Sequence, residues 1–262
     1  MADAVFIPAG DGRFRATEVA RGPWDPGAQH GGAPAALLMR GFEHAPAAES
    51  LQIARVTYEL LRPVPLGELD LTVEVIRPGR RVQLLEGSLR TPDGTAVVRA
   101  RALQVQRADP GAAQPSSAVP ARGPEEGEPA TPPVPDPDAA FFGSHAMEIR
   151  FVAGKFFEPG PATAWFRLRM PVVEGEEPSP LQRLAVAADF GNGIGAALPW
   201  GEWLFINPDL TLYIDRPPAG EWVCLDAQTR IASGGVAVAE STLYDQQGIV
   251  GRAIQALLVA PR

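Results

Sequence analysis

Side-chain character alternates with a period of two along several stretches of the chain. Residues 71–75 read LTVEV, and residues 236–239 read VAVA, where valine alternates with alanine. Successive side chains of a β-strand point to opposite faces of a sheet, so this period is typical of strands that bury one face. Turns rich in glycine, proline and aspartate recur about every 8–12 residues, which favours an antiparallel sheet.

Two segments, one in each half of the chain, break this alternation and predict helices. Residues 31–40 read GGAPAALLMR, in which helix formers surround Pro34. Residues 179–189 read SPLQRLAVAAD, with Ser179 as a candidate N-cap and Pro180 at the first helical position. Both segments are mostly apolar all round, so we expect a curved sheet to wrap each helix.

A proline-rich stretch divides the chain. Residues 107–139 contain nine prolines and no aromatic residue, so the stretch has little apolar surface to bury. We interpret it as a linker between an N-terminal domain, residues 1–106, and a C-terminal domain, residues 140–262. A proline-rich ligand for a partner domain is the alternative.

The two flanking halves form an internal repeat. Arg62 and Gly94 are each matched 154 residues later, by Arg216 and Gly248, within similarly ordered strand-like segments. Each half thus contains a short strand region, one helix and a meander of longer strands. The predicted fold class is α+β.

The composition limits the classes of function. Of 262 residues, 45% are hydrophobic and 21% charged, as in ordinary globular proteins. The net charge of −8, without a long basic run, argues against a nucleic-acid partner. No apolar run approaches the ~20 residues of a membrane span, and the N-terminus lacks a secretion signal. The single cysteine, Cys224, fits a reducing compartment, so we expect a cytoplasmic protein without a membrane partner.

Four short motifs, in order across the two halves, resemble the bacterial type II acyl-CoA thioesterases. They are QHGG at 29–32, ADF at 188–190, NPDLTLYIDRP at 207–217 and AIQ at 253–255. The resemblance implies a tandem (double) hotdog fold, with two long central helices each wrapped by a curved antiparallel β-sheet, and a homo-oligomer. It also implies hydrolysis of acyl-CoA to free acid and coenzyme A, a reaction of fatty acid metabolism.

The resemblance also implies the catalytic residues. The family uses an aspartate on the second helix, a hydroxyl residue on the next strand and a glutamine on the last strand, which become Asp189, Asn207 and Gln255 here. Better-known members have threonine where this chain has Asn207, but an amide can also hold a water molecule. Asp189 would activate water as a general base. Direct attack by its carboxylate, through a mixed anhydride, is the alternative.

The residues themselves leave other interpretations open. A carboxylate on an apolar helix face, as at Asp189, is costly unless it is paired, but Asp189 could simply cap the helix. Gln255 is the lone polar side chain between Ala253 and Val259, and it could face solvent at a sheet edge. No acid in the first helix matches Asp189, and Arg101 stands at the repeat position of Gln255. We therefore expect one active site per chain, in the C-terminal domain.

Substrate contacts are expected from two further segments. Gly31 and Gly32 at a helix N-terminus offer backbone N–H groups to a developing oxyanion, beside His30. Arg80 and Arg81 could bind the phosphates of coenzyme A. A packing histidine and a solvated turn are the alternative interpretations. We expect a further set of aromatics to be core or interface residues: Trp165, Trp200, Trp203 and Trp222.

Several classes of chemistry lack their motifs. The three histidines and one cysteine show no metal-ligand spacing, and the chain has no GxSxG, P-loop or GxGxxG motif. The predicted chemistry requires no cofactor or metal, and the expected partner is a small acyl-CoA molecule. The alternatives are a hotdog enoyl-CoA hydratase or dehydratase and a non-catalytic acyl-CoA-binding module. Hydratases of this fold pair an aspartate with a histidine a few residues on, but no histidine follows Asp189.

Overall fold

The computed structural model describes residues 2–108, 119–132, 134, 139–156 and 158–261. In the first half it has six strands and one helix: β1 Phe6–Gly10, β2 Arg13–Ala16, α1 Gly32–Glu43, β3 Leu51–Leu60, β4 Glu68–Arg77, β5 Val82–Arg90 and β6 Ala96–Gln106. The second half has eight strands and two helices: β7 Glu128–Ala130, β8 Met147–Ala153, β9 Ala162–Leu168, α2 Pro180–Ala188, α3 Gly191–Ile194, β10 Trp203–Ile206, β11 Asp209–Ile214, β12 Trp222–Ile231, β13 Val236–Asp245 and β14 Gly248–Pro261.

The described strands form one antiparallel sheet in which the two halves have the same strand order. The order is β1-β2-β4-β5-β6-β3-β11-β14-β13-β12-β9-β8-β7, and β10 pairs with the end of β14. Outward from the β3–β11 junction, the first half runs β3-β6-β5-β4-β2-β1 and the second runs β11-β14-β13-β12-β9-β8. The internal repeat of the sequence therefore corresponds to a repeat of strand order.

The junction of the halves lies between two threonines. Strands β3 and β11 pair so that Thr57 stands opposite Thr211, and their hydroxyl oxygens lie 3.2 Å apart. Thr211 follows Thr57 by 154 residues, the spacing of the sequence repeat. The repeat in sequence and the repeat of strand order therefore meet at this pair.

The helices lie on the buried face of the sheet and pack against each other. Helix α1 contacts β4, β5 and β6, whereas α2 contacts β9 and β12. Helix α1 has 12 residues, of which only Arg40 and Glu43 are not buried. Helix α2 has nine residues, so the prediction of two long helices does not hold for the second half. No helix in the described ranges is long and apolar enough to span a membrane.

Just after helix α2 the chain passes very close to a strand. A Cβ atom on Gly191 would lie 2.6 Å from the hydroxyl of Ser241 on β13. The chain turns after Ala188 and continues as the single helical turn α3. A side chain at residue 191 would require the Ser241 hydroxyl to move, and glycine avoids this contact.

The alternating strands are present, but small residues form part of the buried face. On β13, Ala237 and Ala239 are each 1% exposed, whereas Val236 is 60% exposed. The two alanines pack with Phe205 of β10 and Leu257 of β14 in a second hydrophobic cluster. The small alanine side chains leave room for the ring of Phe205 on this face.

Part of the predicted linker packs on the second half. Residues 124–126 form a 3₁₀ turn, and β7 pairs with β8 at the edge of the sheet. The indole Nε1 of buried Trp165 donates to the backbone oxygen of Arg122 at 2.9 Å. The proline-rich stretch therefore covers an edge strand and satisfies a buried donor, although residues 109–118, 133 and 135–138 lie outside the described ranges.

We predict that Gly127→Ala destabilises the fold. A Cβ atom on Gly127 would lie 2.8 Å from Cβ of Arg150, so the strand pairing must shift. Overpacking of this kind costs about 1–3 kcal/mol in free energy of unfolding. Urea denaturation measures the loss, with Gly201→Ala as the control because no heavy atom lies within 4 Å of its Cβ position. Equal stability of the two variants would contradict the packing of this segment.

Candidate active site

A buried carboxylate lies where helix α2 ends. Asp189 is the C-cap residue of α2, and it is only 5% exposed. Its side chain reaches the N-terminus of α1, because a Cβ atom on Gly31 would lie 2.8 Å from Asp189 Oδ2. The carboxylate therefore sits at the boundary between the two halves of the molecule.

Two amide side chains donate to one oxygen of this carboxylate. Nδ2 of Asn207 lies 2.9 Å and Nε2 of Gln255 lies 3.3 Å from Asp189 Oδ1. Asn207 follows β10, and Gln255 lies on β14 with 2% exposure. Residues 253, 255 and 257 share the buried face of β14, so Gln255 faces the core and not solvent.

Backbone groups fix the orientation of both amides. The backbone N–H of Asn192 donates to Oε1 of Gln255 at 3.2 Å, which leaves Nε2 to face Asp189. The backbone oxygen of Asp209 accepts from Nδ2 of Asn207 at 3.3 Å. A backbone N–H can only donate and a carbonyl can only accept, so neither amide can be flipped. Both hydrogens of the Asn207 amide are thereby used, one of them by the carboxylate.

The other carboxylate oxygen faces the first half of the chain. Nδ1 of His30 lies 3.1 Å from Asp189 Oδ2. Gly31 lies so close to Oδ2 that a side chain at this position would collide with the carboxylate. Among the described residues, the backbone N–H of Gly31 meets no acceptor, so it is available to a bound molecule.

His30 is held in one orientation, but its proton has two possible positions. Its ring stacks on Phe190 and Phe142, with centroids 4.4 and 5.2 Å away. Nδ1 also lies 3.1 Å from the backbone N–H of Gly32. An unprotonated Nδ1 accepts from Gly32, whereas a protonated Nδ1 donates to Asp189, and one nitrogen cannot do both.

Two adjoining cavities open on this cluster. The larger, about 310 Å³, is bordered by Asp189, Asn207 and other residues of both halves. Its apolar lining residues include Leu60, Leu61, Val64 and Ile206. The smaller, about 50 Å³, is lined by five tryptophan or phenylalanine rings together with aliphatic, glycine and polar residues. Trp24, His30 and Asn192 border both cavities. In the smaller cavity, the ring of Trp200 stacks on that of Trp24 with centroids 5.0 Å apart, so Trp200 lines a cavity.

The structure brings together six of the eight predicted site residues. The six are Asp189, Asn207, Gln255, His30, Gly31 and Gly32. Arg80 and Arg81 are not among them, since they are exposed in the turn between β4 and β5. That turn adjoins the segment after the C-terminal end of α1, where Gln83 donates to the backbone oxygen of Pro46 at 2.9 Å. The active-site cluster lies at the opposite, N-terminal end of α1.

A second carboxylate, partly buried, lies at the other end of the helix pair. Glu43, the last residue of α1, accepts from the hydroxyl of Ser179 at 2.8 Å and from Nε2 of Gln182 at 3.0 Å. Burial raises the pKa of the Glu43 carboxyl above its ordinary value, although the two hydrogen bonds oppose the shift. Side chains of the second half therefore occupy the space beside this carboxylate.

Glu43 corresponds to Asp189 within the repeat. With Pro34 of α1 aligned on Pro180 of α2, the two acids fall at the same position. The expectation that the first helix has no matching acid is wrong, because α1 continues past residue 40 to Glu43. Alignment of the helix prolines is the sequence signal that would have found it. Asn192 was also missed, although it lies only three residues after Asp189.

Two family models cover most of the chain. Residues 20–105 match the model described as the acyl-CoA thioesterase N-terminal domain. Residues 124–259 match the model described as the acyl-CoA thioesterase C-terminal domain. The second match begins at the 3₁₀ turn that leads into β7.

Solved structures resemble this chain over nearly its whole length. A provisionally assigned thioesterase from Novosphingobium aromaticivorans DSM 12444 has 26% identity and a TM-score of 0.74, over 98% of this chain and 99% of its own. An acyl-CoA thioesterase II from Mycobacterium marinum has 16% identity and a TM-score of 0.63, over 98% and 95%. A protein of unknown function with the hot dog fold from Alicyclobacillus acidocaldarius has 16% identity and a TM-score of 0.76, over 98% and 97%. No protein of curated function matches the sequence significantly.

We predict that Glu43 makes stability fall as pH rises. Its pKa is raised in the folded protein, so between the ordinary glutamate value of about 4.3 and the raised value the folded state binds more protons than the unfolded state. Glu43→Gln keeps an acceptor for Ser179 and Gln182 but cannot ionise. Urea unfolding from pH 4 to pH 8 should show wild type losing stability relative to Glu43→Gln as pH increases. Parallel pH profiles of the two proteins would refute the assignment.

Proposed function

The chain belongs to the acyl-CoA thioesterase family, and from this premise we propose that it hydrolyses acyl-CoA thioesters with a water molecule activated by Asp189. One observation carries the proposal: a buried carboxylate, held by two amide donors, borders a cavity of about 310 Å³. A carboxylate fixed beside a cavity can take a proton from water as that water attacks a bound carbonyl group.

The proposed reaction uses Oδ2 of Asp189 as the base. Oδ1 already accepts from two amides, whereas Oδ2 faces His30 and Gly31, which border the larger cavity. Water gives one proton to Oδ2, and its oxygen bonds to the thioester carbon. The tetrahedral intermediate then breaks its carbon–sulfur bond, and the thiolate takes the proton to leave as free coenzyme A. The acyl group leaves as the carboxylic acid.

Asn207 and Gln255 act, in this proposal, on the carboxylate more than on the water. Both donate directly to Asp189 Oδ1, and Gln255 lies on the buried side of the carboxylate, away from the larger cavity. Asn207 has no amide hydrogen left for water once it contacts Asp189 and the backbone of Asp209. Both are thus positioning residues that aim Oδ2 at the cavity.

The developing oxyanion needs donors aimed at it from the opposite side. The backbone N–H of Gly31 borders the larger cavity at the N-terminus of α1, where the helix dipole also favours negative charge. When Oδ2 carries the proton, Nδ1 of His30 is within hydrogen-bond distance to accept from it. The site thus takes groups from both halves of the chain.

We further propose the tandem hotdog arrangement. The mirrored strand order, the Thr57–Thr211 junction and one helix against each half of the sheet support it. In such an arrangement the two helix ends make two related sites, one at Asp189 and one at Glu43. Ser179 and Gln182 fill the second, which supports a single active site per chain.

One contact bears on the hydratase alternative. His30 comes from the first half, yet it lies 3.1 Å from Asp189, so the fold joins a histidine and an aspartate that are distant in sequence. The family match favours neither a hydratase nor a non-catalytic binding module. Mass spectrometry of products from saturated and enoyl-CoA substrates separates the three, since only a thioesterase releases free thiol.

We predict that Asp189→Asn folds normally and loses about 10²–10⁴-fold in kcat, the usual contribution of a general base. The amide is nearly isosteric with the carboxylate but cannot accept the proton of water. Free-thiol release from several acyl-CoA chain lengths measures the loss. Asp226→Asn, which changes an exposed acid on β12, is the matched control. Undiminished hydrolysis by Asp189→Asn on every substrate would place the reaction elsewhere.

We also predict that Asn207→Ala and Gln255→Ala each slow turnover less than Asp189→Asn does. Each removes one of two hydrogen bonds that hold the same oxygen, so the double variant should lose less than the product of the two single losses. The measurement is kcat with saturating acyl-CoA. Gln228→Ala, an exposed amide on β12, should leave kcat unchanged. Independent, multiplicative losses would contradict a shared action on Asp189.

A further inference from the structure

Within the part of the chain that the structure describes, one arginine beside the site, Arg21, has no partner for its charge. Arg21 follows the 3₁₀ turn Glu18–Ala20, and its backbone is pinned by a bridge to Gln29 and a hydrogen bond from the N–H of Phe142. Its side chain borders the smaller cavity. The backbone of Arg21 is therefore held in place, and Arg21 lines the same cavity as His30.

A buried arginine Nε without a partner occurs at Arg21 and at Arg55 among the described residues, and only Arg21 borders a cavity next to the candidate site. Nε of Arg21 is buried without a hydrogen-bond partner, and the side chain makes no ion pair or hydrogen bond among the described residues. Several other arginines have carboxylate partners at 2.5–2.8 Å, among them Arg13, Arg40, Arg150, Arg183 and Arg216. The chain carries eight more acidic than basic residues, so carboxylates that could pair with an arginine are plentiful. A partly buried cation without an acceptor costs free energy unless a bound group supplies one.

The walls around Arg21 restrict what can bind there. They include five aromatic side chains from both halves, together with proline, valine, glycine and polar residues; the five are Trp24, Phe141, Phe156, Phe190 and Trp200. The cavity is about 50 Å³, which suits the end of a short chain. Aromatic walls strengthen the interaction between a guanidinium and an anion, because they keep out water.

The small cavity is also connected to the chemistry. His30 and Asn192 border both cavities, and they contact Asp189 and Asn207 respectively. A thioester whose carbonyl lies at Asp189 can therefore extend its acyl chain past His30 toward Arg21. The larger cavity is left for the pantetheine arm.

We infer that this enzyme prefers acyl groups that end in a carboxylate, namely CoA thioesters of short dicarboxylic acids, and that Arg21 binds the terminal carboxylate. The inference rests on the proposed function and adds a substrate class to it. A guanidinium binds a carboxylate through two parallel hydrogen bonds, which supplies the acceptors that Arg21 lacks. A phosphate of coenzyme A is the other anion that could reach an arginine. The small aromatic enclosure favours the single charge of a carboxylate over a multiply charged phosphate.

The test compares acyl chains of equal length with and without the terminal carboxylate. Values of kcat/KM are measured for adipoyl-CoA against hexanoyl-CoA and for glutaryl-CoA against pentanoyl-CoA. Wild type should favour the dicarboxylic member of each pair, and Arg21→Gln should lose roughly 10- to 100-fold on that member alone, the usual loss for a hydrogen bond to a charged group. Arg21→Lys should recover part of the preference. Arg99→Gln, exposed on the outer face of β6, should match wild type on all four substrates.

Further experiments distinguish binding of a carboxylate from binding of a phosphate. They also distinguish failure of this inference from failure of the proposed function. Acyl thioesters of N-acetylcysteamine carry no phosphate, so a preference that persists with them supports the carboxylate. Equal losses by Arg21→Gln on all four CoA substrates, with none on the N-acetylcysteamine thioesters, would assign Arg21 to a phosphate and overturn the inference. Hydrolysis of hexanoyl-CoA without any preference for adipoyl-CoA would overturn it while leaving the proposed function intact. Calorimetric titration of adipoyl-CoA and hexanoyl-CoA into Asp189→Asn tests the preference without turnover, and equal affinities would also overturn it.

Discussion

A buried carboxylate must be hydrogen-bonded, and the site of this protein is built around that requirement at Asp189. Its Oδ1 is held by two amides of the second half, and its Oδ2 faces His30 and Gly31 of the first half. The partners come from a helix end, one strand and two loops, and they are far apart in sequence. The carboxylate can be satisfied in this way only when the two halves are joined, so the packing of the halves and the site depend on each other.

The pairing of the two halves creates two similar sites, one at each end of the helix pair. The side chains around the carboxylate differ between the two sites. At one end Asp189 borders a cavity, whereas at the other Glu43 is covered by Ser179 and Gln182. Glycine beside Asp189 leaves room for a bound molecule, and polar side chains beside Glu43 take that room. The second end thus joins the halves by hydrogen bonds from α2 to the end of α1. The two halves repeat the same strand order. This repeat is compatible with a single reactive site because these few side chains differ.

Much of the fold was predictable from local patterns. The alternation of residues, the turn spacing and the repeat at 154 residues predicted antiparallel strands and two helices, because these features depend on neighbours in sequence. The length of α2 was not, since no local signal marks its end at Ala188, just before the chain approaches β13 at Gly191. Of the site, the resemblance supplied Asp189, Asn207 and Gln255. The contact of His30 with Asp189, the role of Asn192 in orienting Gln255 and the isolation of Arg21 depend on tertiary packing, which no local pattern encodes.

The central claim is that the scissile carbonyl binds beside Asp189, between the carboxylate and the N-terminus of α1. A crystal structure of Asp189→Asn with an acyl-CoA analogue in which a methylene group replaces the sulfur tests this directly. We predict that the carbonyl carbon lies within about 3.5 Å of a water molecule that contacts residue 189. We also predict that the carbonyl oxygen accepts a hydrogen bond from the backbone N–H of Gly31. A carbonyl group bound away from residue 189, whether at the Glu43 end of the helices or on the outer face of the sheet, would contradict it.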